Sequence, residues 1–306
     1  MNNERLIREI IGQQSNLRIG VDLNLEEVRR VAITALFADD VLMNKFVLKG
    51  GNALHLVYGL SGRTSLDLDL SLDTDFDDFE DAKRRLRRSL EDRFDAVGIV
   101  VFDFKLEPRP KIQESSEGKI FWGGYQLDFK LIEKEKRDTL GGELRAMQRS
   151  ALVVGQDQQK IFTVDFSKFE HTEGKRLKEF EKFEIYVYSL EMIVCEKLRA
   201  LCQQMHEYAH GRTRKARARD LYDIYCVVHP GHVKLDSPEA VSLLKDIFQI
   251  KEVSLSLLGL LPQYREYHRQ DWPAVIQSVG EEIENYDFYF EFVLSEVEKL
   301  KPFWNN

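Results

Sequence analysis

The run SLDLDLSL, residues 65–72, constrains this chain more than any other stretch, because it alternates polar residues with leucine without a break. Such a period of two belongs to a strand with one buried face, since successive side chains point to opposite sides. Leu66, Leu68, Leu70 and Leu72 can then cover a core, while Ser65, Asp67, Asp69 and Ser71 share the other face. By the rise of a strand, the two aspartates stand about 7 Å apart along that face. Like charges so close are unfavourable unless a cation sits between them. A hard divalent ion answers that need, Mg²⁺ first and Mn²⁺ as the alternative, held by a few carboxylates and by phosphate oxygens. Taken alone, Asp-x-Asp occurs often by chance and fits a surface strand carrying two solvated acids.

The preceding segment adds weight. FVLK (46–49) is short and β-prone, Gly50-Gly51 closes it, and ALHLVYGL returns to helical spacing. Backbone N–H groups at the start of a helix can hold an anion, and two glycines remove the Cβ atoms that would keep phosphate oxygens away. The competing reading is a tight strand-to-helix turn that needs positive φ. A glycine turn, a helix and a strand bearing two carboxylates, all within residues 46–72, pair a phosphate-binding element with a metal-binding one.

The rest of the chain predicts an α+β protein: an N-terminal domain with a small mixed β-sheet over residues 1–189, then a helical region over 190–306. The first 45 residues read as helical, with Asn24 placed to cap LEEVRRVAITAL. A charged helix is expected over 79–94. Strands are expected at 98–107 and 124–133, joined by the polar connection KIQESSEGK. Helical texture then covers 190–209, 215–229, 237–259 and 272–300.

Composition narrows the class. With 306 residues, 43% hydrophobic and 31% charged, the chain reads as globular. MNNERLIREI lacks the apolar run of an export signal, and no stretch is long and apolar enough to span a bilayer. Three cysteines, Cys195, Cys202 and Cys226, fall in helical patterns and read as reduced core thiols, so a cytoplasmic location is expected. The seven histidines show no metal-ligand spacing. A net charge of −8 argues against a general nucleic-acid coat, yet residues 212–219 (RTRKARAR) hold five cations in eight positions. Arg212, Arg214 and Lys215 are the candidate contacts to an RNA backbone.

A lysine supplies separate evidence. Leu190, Ile193, Val194, Leu198, Leu201 and Met205 define one apolar helix face, and Lys197 projects near its middle. A buried lysine needs a carboxylate or an anion, unless its long stem lets it snorkel at the edge of the face. In the following helix, RARDLYDIYCVV, Asp220 borders the core face and can pair with Lys197 or Arg217, while Asp223 reads as an exposed or hydrogen-bonded acid.

KGGNALHLVYGLSGRTSLDLDLSL (49–72), LEMIVCEKLRAL and RARDLYDIY together resemble the AbiEii/AbiGii toxin family, within the DNA polymerase β-like nucleotidyltransferase superfamily. The resemblance implies a metal-dependent enzyme that uses an NTP. Asp67 and Asp69 match its metal-binding acids. Asp128 is the best-placed match for the third acid, ahead of Asp165 and Asp103. Lys197 matches the family lysine and Asp220 its companion. Gly50, Gly51, Arg63 and Ser65 would contact the nucleotide, with Ser65 a further candidate for modification. The resemblance also implies an RNA acceptor, the 3′ end of tRNA, and a separately encoded antitoxin. The alternatives are transfer to a protein or small molecule, and a non-catalytic nucleotide-binding protein on the same fold.

Overall fold

A computed structural model describes residues 24–304 except Thr64, Leu66, 111–121, 156–157, 211–213 and Glu281. The chain folds as two compact units interleaved in sequence. The first comprises residues up to 48, 66–168 and 177–187, and the second comprises 49–65, 169–176 and 188 onward.

The first unit is built on a seven-stranded mixed sheet, larger than the small sheet expected. Helix α1 (Leu25–Leu36) opens it, with Asn24 and Glu27 forming a reciprocal capping box. Then come β1 (Phe46–Lys49), β2 (Leu68–Leu72), α2 (Phe79–Asp95), β3 (Ile99–Arg109) and β4 (Gly124–Glu133). Two short helices follow, α3 (Lys134–Thr139) and α4 (Leu144–Ser150), and then β5 (Phe162–Ser167), β6 (Arg176–Phe180) and β7 (Phe183–Val187). The strand order is β3-β4-β5-β2-β1-β7-β6. β2 runs parallel to β5 and β1 parallel to β7, whereas β4 is antiparallel to both β3 and β5. The predicted alternation holds, with Leu68, Leu70 and Leu72 buried, but the strand begins at Leu68, so Asp67 lies just ahead of it and is exposed. Three strands, β5 to β7, lie where no strand was expected. Glu181 and Lys182, both at positive φ, form the two-residue connection between β6 and β7, a backbone that suits the twist of a hairpin.

The second unit is organised around α5 (Leu190–Cys202), capped by Ser189, whose hydroxyl accepts the Met192 N–H. It packs on α6 (Ala218–Val228), on α7 (Pro238–Gln249) and on a 3₁₀ stretch, Leu255–Tyr264. The long helices expected over 237–259 and 272–300 are shorter. α8 (Arg265–Arg269), α9 (Trp272–Ser278) and α10 (Tyr286–Lys299) complete the unit. Cys195 and Cys202 are buried, all three cysteines are free, and burial pushes the thiols of Cys195 and Cys202 well up, in keeping with inert core residues. Among the described residues no helix is long and apolar enough to cross a membrane.

Candidate active site

The carboxylates of the first unit are set by strand register. Asp69 on β2 is the cross-strand partner of Asp165 on β5. Aligned residues of a parallel pair point to the same face, with neighbouring strands about 4.8 Å apart. Asp69 and Asp165 are therefore side by side, and Asp67 stands two residues before Asp69.

This placement bears on the choice of third acid. Asp128 lies on β4, one strand further from β2, and its cross-strand partner is Thr163. Its carboxylate accepts from Gln126 Nε2 at 2.9 Å and from Thr163 Oγ1 at 2.9 Å. Asp103 is further still, on β3, in a left-handed conformation (φ 52°) at a register shift, where Lys130 and Gln148 donate to it. Register thus favours Asp165, the rival that family order ranked below Asp128. Among the described residues no three His, Cys, Asp or Glu side chains converge closely enough to hold an ion by themselves. Mg²⁺ commonly takes one or two carboxylates and fills its shell with water and phosphate, so two adjacent aspartates with a third nearby fit that ion.

The second unit holds the glycine turn and the lysine. Gly50 has φ +70°, a backbone that favours glycine, and starts a single α-helical turn that widens into a π-type turn over Ala53–Val57. Gly51 is required by a close approach: a Cβ there would lie 2.8 Å from Arg63 Nη2 and 3.2 Å from Ser65 Cβ. Part of the glycine signal is therefore packing against Arg63.

Lys197 is buried, so the snorkelling alternative does not hold. Its ammonium donates to Asp220 Oδ1 at 2.9 Å and to Asp223 Oδ2 at 2.6 Å. Burial alone would lower its pKa, but Asp220 and Asp223 together hold it above the ordinary lysine value. Arg63 is also buried and grips Asp223 with two bonds, Nε to Oδ1 at 3.2 Å and Nη2 to Oδ2 at 2.6 Å. Arg217 pairs with Asp220. Burial works to raise the pKa of each aspartate, and the neighbouring cations overcome it and hold both below the usual carboxylate range. Asp223, expected to be exposed or hydrogen-bonded, is fully buried and joins Arg63 to Lys197. Arg63, Lys197 and Arg217 thus share the carboxylates of Asp220 and Asp223, with Arg217 at the more exposed end of the network.

Residues 230–306, silent in the sequence, support this network. No side chain caps α6 locally. Instead the Arg217 N–H donates to His268 Nδ1 at 3.2 Å and the Arg219 N–H reaches Asp271 Oδ2 at 3.5 Å. Val279 forms an antiparallel bridge with Arg63. A second buried cluster holds the residue before the glycine turn: Lys49 donates to Glu196 at 2.8 Å, and Glu170 pairs with Arg199 at 2.9 Å and Lys251 at 3.2 Å. Lys49 could have been flagged as a lone cation closing an apolar strand. Nothing local marks His268.

Of the candidate RNA contacts, Arg212 lies outside the described residues. Arg214 is half-buried and directs Nε–H to the Met205 carbonyl at 3.2 Å, while the Lys215 side chain is exposed.

A family model, the nucleotidyl transferase AbiEii toxin of type IV toxin–antitoxin systems, matches residues 32–292. This chain belongs to the AbiEii nucleotidyltransferase toxin family. Among solved structures it is similar to JHP933 from Helicobacter pylori (18% identity, 92% of this chain and 94% of that one, TM-score 0.45). It is also similar to MenT4, a nucleotidyltransferase toxin from Mycobacterium tuberculosis (15% identity, 96% of this chain and 89% of that one, TM-score 0.49). No match was found among curated proteins.

Proposed function

We propose that the protein is a metal-dependent nucleotidyltransferase that moves an NMP group from an NTP to an RNA acceptor, the 3′ end of tRNA. The register that sets Asp69 beside Asp165, with Asp67 two residues earlier, carries this reading, because carboxylates so placed can share a hard divalent cation with phosphate oxygens. In this reading Asp67 and Asp69, with Asp165, hold Mg²⁺, which would neutralise triphosphate charge when bound. Gly50, Gly51, Ser65 and Lys197 remain the candidates for phosphate contact in the second unit, with Arg63 acting through Asp223. An acceptor hydroxyl attacks the α-phosphorus, the bond from that phosphorus to its bridging oxygen breaks, and pyrophosphate leaves. Asp165 takes the hydroxyl proton. The exposed Lys215 and the neighbouring Arg212 serve the RNA backbone.

The type IV description of the family supports a separately encoded antitoxin as partner. Incubation with each α-labelled NTP, Mg²⁺ and total RNA, beside an Asp67→Asn control, tests the reading. Label in tRNA from the wild type alone is the expected result. Label in protein would redirect the acceptor, and bound nucleotide without any transfer would point to a non-catalytic binding protein.

A further inference from the structure

Among the described residues of the first unit, Arg29, on the inward side of α1, stands out as a poorly satisfied cation. Only 2% of its surface is exposed, and Val28, Ala32 and Ile33 around it are fully buried. Two guanidinium nitrogens, Nε and Nη2, are buried and have no hydrogen-bond partner. Its electrostatic partners are Glu26 and Asp67. Glu26, however, accepts two hydrogen bonds from Arg30, at 2.9 and 3.0 Å. Burial lowers the Arg29 pKa to about 10, against the pull of both acids. A guanidinium with open donors is costly inside a protein, and such a group calls for an ion or ligand to complete it.

Arg29 differs from the other buried arginines. Arg63 has both carboxylate oxygens of Asp223, and Arg199, although its own Nε lacks a partner, has Glu170, Glu196 and the Ile247 carbonyl. Each of these forms part of a paired network. Arg29 instead lies within electrostatic reach of the aspartate that heads the metal-binding pair, with a planar fork of donors to offer. The chemistry that fits a buried fork beside a metal-binding carboxylate is a phosphate group, which can span the metal and the guanidinium.

We propose that Arg29 is a phosphate-binding residue that takes oxygens of the nucleotide's phosphate chain next to Asp67. This rests on the nucleotidyl-transfer reading, and it assigns part of the triphosphate site to α1, outside the glycine, Asp-x-Asp and lysine motifs. A consequence separates it from a structural role. A cation held for a ligand destabilises the free protein, so removing it with a side chain of similar length should not lower the melting temperature. It should instead abolish stabilisation by the ligand.

The test compares full-length wild type, Arg29→Lys and Arg29→Met. Melting temperature is read with and without Mg²⁺-tripolyphosphate, a phosphate chain without base or sugar, and the KM for the transferred NTP is measured alongside. The account expects apo Arg29→Met to melt at or above the wild type. Its tripolyphosphate shift should be lost and its KM raised at least about tenfold, with Arg29→Lys intermediate. Three results would overturn the assignment: an unchanged shift and KM in Arg29→Met, a markedly lower apo melting temperature, or a wild type that transfers nucleotide yet ignores tripolyphosphate. A wild type that neither transfers nucleotide nor binds any NTP would instead refute the underlying reading, and the assignment with it.

Discussion

Lys197 Nζ lies 2.6 Å from Asp223 Oδ2, with the aspartate fully buried and the lysine nearly so. The same carboxylate holds Arg63, so one anion stabilises two buried cations. Neutralising it leaves both under-compensated in a poorly solvated interior. Asp223→Asn should therefore destabilise the protein by about 3–5 kcal/mol, the usual cost of breaking a buried pair from one side. Urea unfolding of wild type and variant checks this. A loss below about 1 kcal/mol would mean that the network is more solvated than the structure shows.

The glycine turn gives a sharper geometric test. A methyl at position 51 would overlap Arg63 Nη2, whose place is fixed by Asp223. Gly51→Ala should cost about 1–3 kcal/mol, as overpacking does. The penalty should shrink in an Arg63→Lys background, where the guanidinium is gone. A double-mutant cycle on unfolding free energies should return a coupling of about 1 kcal/mol or more. Simple additivity would contradict the contact.

His268 predicts an acid-side loss of stability. Burial lowers its pKa to about 4 despite the raising influence of Asp220, and Arg217 adds to the lowering. Its folded pKa lies below the unfolded one, so the unfolded chain takes the proton first as pH falls. The contribution is complete above about pH 6.5 and is lost progressively toward pH 4, to the order of 3 kcal/mol. Unfolding free energy measured from pH 7.5 to 4.5 should fall accordingly. His268→Asn keeps a hydrogen-bond acceptor for the Arg217 N–H without titrating, and should flatten that slope.

Register makes a prediction about the third acid. Asp165 faces Asp69 across paired strands, whereas Asp128 is held by Gln126 and Thr163 one strand away. Asp165→Asn should lower nucleotide transfer by about 100-fold or more, as loss of a group acting at the reacting centre does. Asp128→Asn should stay within about tenfold of the wild type. The initial rate of label transfer decides between them, and the reverse ranking would restore Asp128.

Much of this was legible in the sequence because it rests on local periodicity. Leucine alternation marked β2, the apolar stripe around Lys197 marked α5, and the glycine pair marked the turn after β1. Strand neighbours were not legible: β5 lies beside β2 although residues 73–161 separate them. Chain order therefore favours an acid on β4, Asp128, where register favours Asp165 on β5. β6 escaped notice because four of its five residues are exposed, which leaves no burial pattern to read. His268, Asp271 and Val279 were invisible for a related reason. Their effect is to satisfy backbone groups of segments far away in sequence, and no periodicity records that.

The central claim is that the α-phosphoryl group of an NTP, with its nucleoside, ends on the acceptor. Parallel reactions with the same NTP labelled at the α- or the γ-phosphate, with Mg²⁺ and tRNA, test it most directly. The account predicts label in tRNA from the α-labelled substrate only, with γ label released as pyrophosphate, and none from Asp67→Asn in either case. Transfer of γ label to the acceptor, or equal transfer by Asp67→Asn, would contradict it.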